Sequence, residues 1–187
     1  MEENIEIEYK QLLDVEEYQK LKTYLKASKE HVDIDQTNYY FETVDFSLGK
    51  EKKALRIRVK DDTYELCLKE KRAQDVLEHN YMISKEAFDL ALNDPNTIKE
   101  YIPLKGDFIL LGKLFTNRIE LKIKGGLICL DYSKYCNKED YEIEFEAVDY
   151  NKEEFFEVFL DMFDIKYKEN KVNKIERFIN EYKKMEE

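Results

Sequence analysis

Carboxylates and cations recur along this chain at alternating positions, the spacing that puts side chains on one face of a strand. The first run is Asn4-Ile5-Glu6-Ile7-Glu8-Tyr9-Lys10, with Glu6, Glu8 and Lys10 on one side and Ile5, Ile7 and Tyr9 on the other. Arg56, Arg58 and Lys60 alternate with Leu55, Ile57 and Val59. Glu65, Lys69 and Lys71 share a face, with Cys67 between them. Arg118, Glu120, Lys122 and Lys124 alternate with Ile119, Leu121 and Ile123, and Glu142, Glu144 and Glu146 with Tyr141, Ile143 and Phe145. Arginine and lysine are the side chains that hold phosphate oxygens, and carboxylates are hard ligands for divalent cations such as Mg²⁺ or Mn²⁺.

Any one of these runs is ordinary for a half-exposed strand with its charged side in water. The set is not ordinary. Solvent faces mix Thr, Ser, Gln, Lys and Glu, whereas here like charges stand two residues apart on several strands, where they repel. A barrel with the ionic faces inward, bearing a ligand and metal of compensating charge, accounts for all of the runs together.

The elements that must position these residues follow from periodicity. Strands are predicted over 4–10, 37–42, 54–60, 64–71, 77–83, 117–124, 127–133 and 140–146. Asp61-Asp62-Thr63 and Gly125-Gly126 read as hairpin turns, and 45–49 as a turn or loop. Amphipathic helices are predicted near 14–29, over 84–101 with Ser84 as N-cap and a break at Pro95, over 152–163 and over 171–185. No linker divides the chain, so residues 1–187 are expected to form a single domain.

Composition narrows the function. Hydrophobic residues make up 43% and aromatic residues 13%, enough for a packed core, and the net charge of −11 argues against a general nucleic-acid binder. A small anion held in a locally basic cavity remains compatible with that charge. No run approaches the roughly 20 apolar residues of a membrane span. Cys67, Cys129 and Cys136 lack metal-site spacing and read as free thiols, which predicts a cytoplasmic protein. His31 and His79 have no catalytic partner motif, and Gly125-Gly126 lacks the surroundings of a phosphate loop.

Glu6-Ile7-Glu8-Tyr9-Lys10 matches the Glu-x-Glu-x-Lys signature of the CYTH superfamily, the triphosphate tunnel metalloenzymes. Leu55-Arg56-Ile57-Arg58, Leu68-Lys69-Glu70-Lys71, Arg118, Asp131 and Glu142-Ile143-Glu144 follow in the family's order, so the resemblance covers essentially the whole chain. It implies a closed eight-stranded antiparallel β-barrel with helices packed outside and a triphosphate bound in the tunnel. It also implies catalytic roles for Glu6, Glu8 and Lys10, and metal-binding roles for Glu6, Glu8, Asp131, Glu142, Glu144 and Glu146. The register within the last stripe stays open between Glu142/Glu144 and Glu144/Glu146. Lys10, Arg56, Arg58, Lys69, Lys71, Arg118 and Lys122 match substrate ligands, Lys174 and Arg177 would close one mouth, and Glu78 falls where the family has a further acidic residue.

The implied activity is Mg²⁺- or Mn²⁺-dependent hydrolysis of inorganic triphosphate or another small triphosphate. Class IV adenylate cyclase, thiamine triphosphatase and a non-catalytic polyphosphate or triphosphate binder stand as alternatives.

Overall fold

The computed structural model describes residues 2–150 and 152–186. Among them lie strands β1 (Glu2–Leu13), β2 (Val32–Thr43), β3 (Lys53–Lys60), β4 (Thr63–Lys71), β5 (Val76–Ile83), β6 (Phe108–Ile123), β7 (Gly126–Tyr135) and β8 (Lys138–Ala147). The hydrogen-bonded order β1-β5-β4-β3-β2-β6-β7-β8 closes on itself, giving the antiparallel barrel that the resemblance implies. Helices α1 (Val15–Ala27), α2 (Ser47–Lys50), α3 (Lys85–Asn93), α4 (Glu153–Asp161) and α5 (Lys174–Glu186) fill the connections, with a 3₁₀ segment at Pro95–Glu100.

Two compact units make up the chain. Unit one holds the residues up to Ile5, Gln36–Phe115 and the chain from Lys174 onward; unit two holds Glu6–Asp35 and Thr116–Asn173. Each has its own apolar core. In unit one, Phe41, Leu55, Ile57, Leu66 and Leu68 pack against Phe88, Ala91 and Ile98. In unit two, Ile119, Leu121, Ile128, Leu130, Ile143 and Phe145 pack against Tyr18, Leu21 and Leu25 of α1 and Phe156, Phe159 and Leu160 of α4. Burying each such side chain contributes roughly 1.5–3 kcal/mol. Because the apolar set of each strand faces helices, the alternate, ionic set faces the barrel interior.

Local chemistry fixes the element ends. Asp14 and Glu17 form a reciprocal cap on α1: the Glu17 amide donates to Asp14 Oδ1 (2.8 Å) and the Asp14 amide to Glu17 Oε2 (2.9 Å). Ser84 caps α3 as expected, and Pro95 ends that helix and opens the 3₁₀ segment. The 43–52 connection is not a plain loop. It contains the short α2, gathered on the Glu42 carboxylate, which is 1% exposed and accepts from the amides of Thr43 (2.8 Å), Leu48 (3.0 Å) and Gly49 (3.0 Å).

β6 begins at Phe108, well before the predicted 117, because Phe-Ile-Leu-Leu-Gly-Lys-Leu-Phe is nearly unbroken apolar sequence without period-2 alternation. The β7–β8 turn at Cys136 and Asn137 (φ +46° and +60°) is not among the turns read from the sequence, although Asn137 is a residue type that tolerates positive φ.

Candidate functional site

Unit two carries the carboxylate-rich half of the barrel's ionic face. The register of β1 against β8 sets Glu8 opposite Glu146 and Lys10 opposite Glu144, and that of β7 against β8 sets Cys129 opposite Glu144 and Asp131 opposite Glu142. Lys10 Nζ contacts Glu8 Oε1.

Arg118 of β6 reaches three carboxylates. Its Nε and Nη2 form a two-pronged pair with Asp131 Oδ1 and Oδ2 (both 2.8 Å), Nη2 also donates to Glu144 Oε2 (2.5 Å), and Nη1 donates to Glu146 Oε1 (3.2 Å). Asp131 is fully buried and Arg118 is 8% exposed. Burial opposes the charge on Arg118, but Asp131 and Glu144 outweigh it and hold the guanidinium firmly protonated. Cys129 Sγ donates to Glu146 Oε1 at 3.6 Å; burial pushes this thiol well up, so it stays neutral.

Glu142 is also fully buried and accepts from Asn170 Nδ2 (3.2 Å), while Thr116 and Ser133 pair their hydroxyls at 3.1 Å nearby on the same strands as Arg118 and Asp131. Asn170 was not predicted. Its backbone amide also donates to the Lys10 carbonyl (2.8 Å), so the segment before α5 is tied to β1 beside the signature lysine.

The donor set suits a hard divalent cation. Glu8 and Glu146 offer carboxylate oxygens from register-opposed positions on β1 and β8, Glu144 stands opposite Lys10, and the Arg118 guanidinium contacts both Glu144 and Glu146. Among the described residues no three His, Cys, Asp or Glu side chains are gathered as a ready metal cage; Glu8 contacts Lys10, and Glu144 and Glu146 contact Arg118.

Unit one carries the cation-rich half. Arg56 and Arg58 of β3 lie opposite Tyr40 and Asn38 of β2 and opposite Cys67 and Glu65 of β4. Asn38 is 2% exposed and its Oδ1 accepts from Arg58 Nε (3.2 Å), which fixes the arginine's orientation. Lys69 Nζ pairs with Glu78 Oε1 (2.5 Å), and Asn80 Nδ2 donates to Glu78 Oε2 (3.2 Å). Burial would raise the Glu78 carboxyl, but Lys69 and Arg56 override it and hold it at about 2.

Of the remaining predicted residues, Glu6 is half-buried on β1, whereas Lys71 and Lys122 are exposed near strand ends. Lys174 and Arg177 lie in the first turn of α5, a helix whose Phe178 is buried against Tyr40, ring centroids 5.4 Å apart. His79 does have an acidic neighbour, Glu3, with Nδ1 3.3 Å from Oε1. Sequence spacing missed Asn38, Glu42, Asn80 and Asn170. The first three stand at alternate strand positions, where a buried amide or acid beside Arg or a turn is the available signal.

The CYTH domain model matches residues 4–179, a stretch that includes β2 to β8 whole and all of β1 but its first two residues. The chain belongs to the CYTH domain family. It is 41% identical to "Putative triphosphatase YjbK" of Bacillus subtilis (strain 168), covering 98% of this chain and 99% of the relative. A solved structure described as "a putative adenylate cyclase" from Bacillus halodurans is 34% identical, with a TM-score of 0.82 over 95% of this chain and 99% of the other. HpAC1 from Hippeastrum, described as a "putative adenylyl cyclase" with a dominant triphosphatase activity, superposes with a TM-score of 0.77 over 94% and 95% of the two chains. At 23% identity that last likeness speaks to the fold alone.

Proposed function

We propose that this CYTH protein is a divalent-metal-dependent triphosphatase acting on inorganic triphosphate or another small triphosphate, with residues 1–187 working as one functional domain. The observation that carries the reading is the register that opposes Glu8 to Glu146 and Lys10 to Glu144, with Arg118 among the carboxylates, in a chain 41% identical to a protein named as a triphosphatase.

In this reading Glu6, Glu8, Glu144 and Glu146 hold the divalent cation, Mg²⁺ or Mn²⁺. That ion supplies charge neutralisation and polarisation of a phosphoryl oxygen. Arg56, Arg58 and Lys69, with Arg118 and Lys10, hold the phosphate oxygens. Arginine does so through paired N–H groups and lysine as a point charge. Phosphoryl transfer demands positioning and electrostatic stabilisation more than covalent help, and these side chains supply both. Asn38 aims Arg58 and Asp131 aims Arg118, so the cations meet developing negative charge without reorganising. Glu142 lies beside this set, tied to Asn170, and Lys174 and Arg177 flank the substrate's entry. Lys71 and Lys122 add general positive charge from the strand ends.

A cyclase reading draws on the 34% identity to the Bacillus halodurans protein. The two differ in product. Chromatography after incubation with inorganic triphosphate, ATP and thiamine triphosphate, each with Mg²⁺ or Mn²⁺, is expected to show phosphate released from inorganic triphosphate. Cyclic AMP with pyrophosphate from ATP would establish the cyclase instead, and metal-linked binding with no product would make the protein a triphosphate binder.

A further inference from the structure

The ionic face of unit one holds its cations in two ways. Arg58 is aimed by a neutral group, the Asn38 amide. Lys69 is aimed by a carboxylate. It stands directly opposite Glu78 across β4 and β5, and its Nζ meets Glu78 Oε1 at 2.5 Å. Directly opposed strand residues have Cβ atoms about 4.5–5.5 Å apart, so the backbone register sets this closeness whatever else lies on the face. The second oxygen of Glu78 is engaged as well, since Oε2 accepts from Asn80 Nδ2 (3.2 Å). Asn80 is the next residue of the same face on β5. It lies opposite Cys67, which lies opposite Arg56 of β3. Burial works against a charge on Glu78, whose side chain is 15% exposed, but Lys69 and Arg56 keep it ionised.

A neutral amide at position 78 would aim Lys69 much as Asn38 aims Arg58. What the carboxylate adds is a negative charge beside two cations, Lys69 and Arg56, that the proposed function gives to phosphate oxygens. We infer that Glu78 is a positioning residue that also tempers the charge of the phosphate-binding face, so that the products, phosphate and pyrophosphate, are not held too tightly to leave. Asn80 is a positioning residue in turn, because it fixes the carboxylate beside Lys69. The inference rests on the triphosphatase reading and adds a determinant of product release to it. Its physical basis is that a fixed negative charge weakens the binding of every phosphate chain in the ground state, substrate and product alike. Such a loss raises KM without lowering the barrier to chemistry, and it shortens the stay of the products. The aim given to Lys69 keeps the cation ready for the charge that develops on the phosphoryl oxygens.

The test is inhibition by pyrophosphate of phosphate release from inorganic triphosphate, in Mg²⁺ and with the full-length protein. Calorimetric binding of pyrophosphate under the same conditions is the second readout and needs no turnover. Glu78→Gln keeps the size of the side chain and an acceptor for Lys69. Its new N–H can meet Asn80 Oδ1, a buried atom without a hydrogen-bond partner among the described residues, once the Asn80 amide turns over. This variant is expected to bind pyrophosphate about tenfold more tightly than the wild type, with KM for triphosphate lowered and kcat lowered by slow product release. Asn80→Ala keeps the charge and loosens the aim, so it is expected to raise KM severalfold with pyrophosphate inhibition no tighter. Glu78→Asp keeps a carboxylate but withdraws it from Lys69; it is expected to fall between wild type and Glu78→Gln, and it serves if the Gln variant does not fold. An ion pair that only stabilises the fold would lower the melting temperature and leave pyrophosphate affinity unchanged or weaker. That result in the folded Glu78 variants, with the wild type still releasing phosphate, would overturn the inference and leave the triphosphatase reading standing. Tighter pyrophosphate binding in Glu78→Gln from a wild type that releases no phosphate would sink the triphosphatase reading and product release with it, leaving Glu78 to temper an anion-binding face. If the wild type neither releases phosphate nor binds pyrophosphate, both fall.

Discussion

At the scale of single residues, the arginines differ in how they are held, and that difference sets what each substitution should do. Arg58 has its Nε on the buried Asn38 amide. Arg58→Ala is expected to raise KM for inorganic triphosphate by about tenfold or more while the fold survives, and Asn38→Ala should reproduce part of that rise. Equal KM values in wild type and Arg58→Ala would remove Arg58 from the substrate site. Asp131 is different, because replacing it leaves Arg118 buried without its main partner. Asp131→Ala should destabilise by about 3–5 kcal/mol, the usual cost of breaking a buried ion pair, measurable by urea unfolding. Glu78 gives a pH signature. Its folded carboxyl is held at about 2, below its ordinary 4.5, so it binds a proton less readily folded than unfolded. The stability it contributes is therefore complete above about 4.5 and is lost as pH falls towards 2. Glu78→Gln should flatten the loss of stability across that window; an unchanged acid profile would show that Lys69 and Arg56 do not act on it.

At the scale of elements, the strands that alternate were readable and those that do not were hidden. Arg56-Ile57-Arg58 and Glu142-Ile143-Glu144 announce their two faces, since apolar packing on one side and charge on the other leave a period of two. The first half of β6 carries no such contrast, and its Leu111 and Leu114 are buried alike. Gly125-Gly126 was legible as a turn, but the reason for the second glycine was not: a Cβ on Gly126 would lie 2.2 Å from the Glu146 carbonyl oxygen and 2.5 Å from the Phe145 ring. Gly126→Ala is thus expected to cost about 1–3 kcal/mol or more and to displace the strand that carries Glu146, lowering both melting temperature and activity. The Glu42 turn was also invisible, because a glutamate at the end of a predicted strand looks solvated. Three backbone amides aim at its two oxygens, and Glu42→Gln would set a side-chain N–H against one of them. A loss of about 1–3 kcal/mol in thermal or urea unfolding is expected, and no loss would show that the 43–52 connection does not depend on that carboxylate.

At the scale of the whole molecule, the proposed function asks an acidic chain of net charge −11 to keep a triphosphate by gathering its cations and answering its own carboxylates with metal. Stability should therefore respond to the pair rather than to either ligand alone. Inorganic triphosphate with Mg²⁺ or Mn²⁺ is expected to raise the melting temperature, by about 2.7 kcal/mol of linkage at a hundredfold excess over Kd, whereas triphosphate in chelator should leave it nearly unchanged. The family and barrel were readable from strand faces and the Glu-x-Glu-x-Lys start. The partners that hold the charged side chains were not, because Asn38 meets Arg58 and Asn170 meets Glu142 only through long-range pairing.

The most direct measurement is the initial rate of phosphate release from inorganic triphosphate, with Mg²⁺ or Mn²⁺ and with chelator, for the wild type and for Glu6→Gln and Glu144→Gln. Metal-dependent release that falls by about a hundredfold or more in both folded variants is the predicted result. Release that persists in chelator, or that is unchanged by both substitutions, would contradict the assignment of these carboxylates to a metal-dependent triphosphatase.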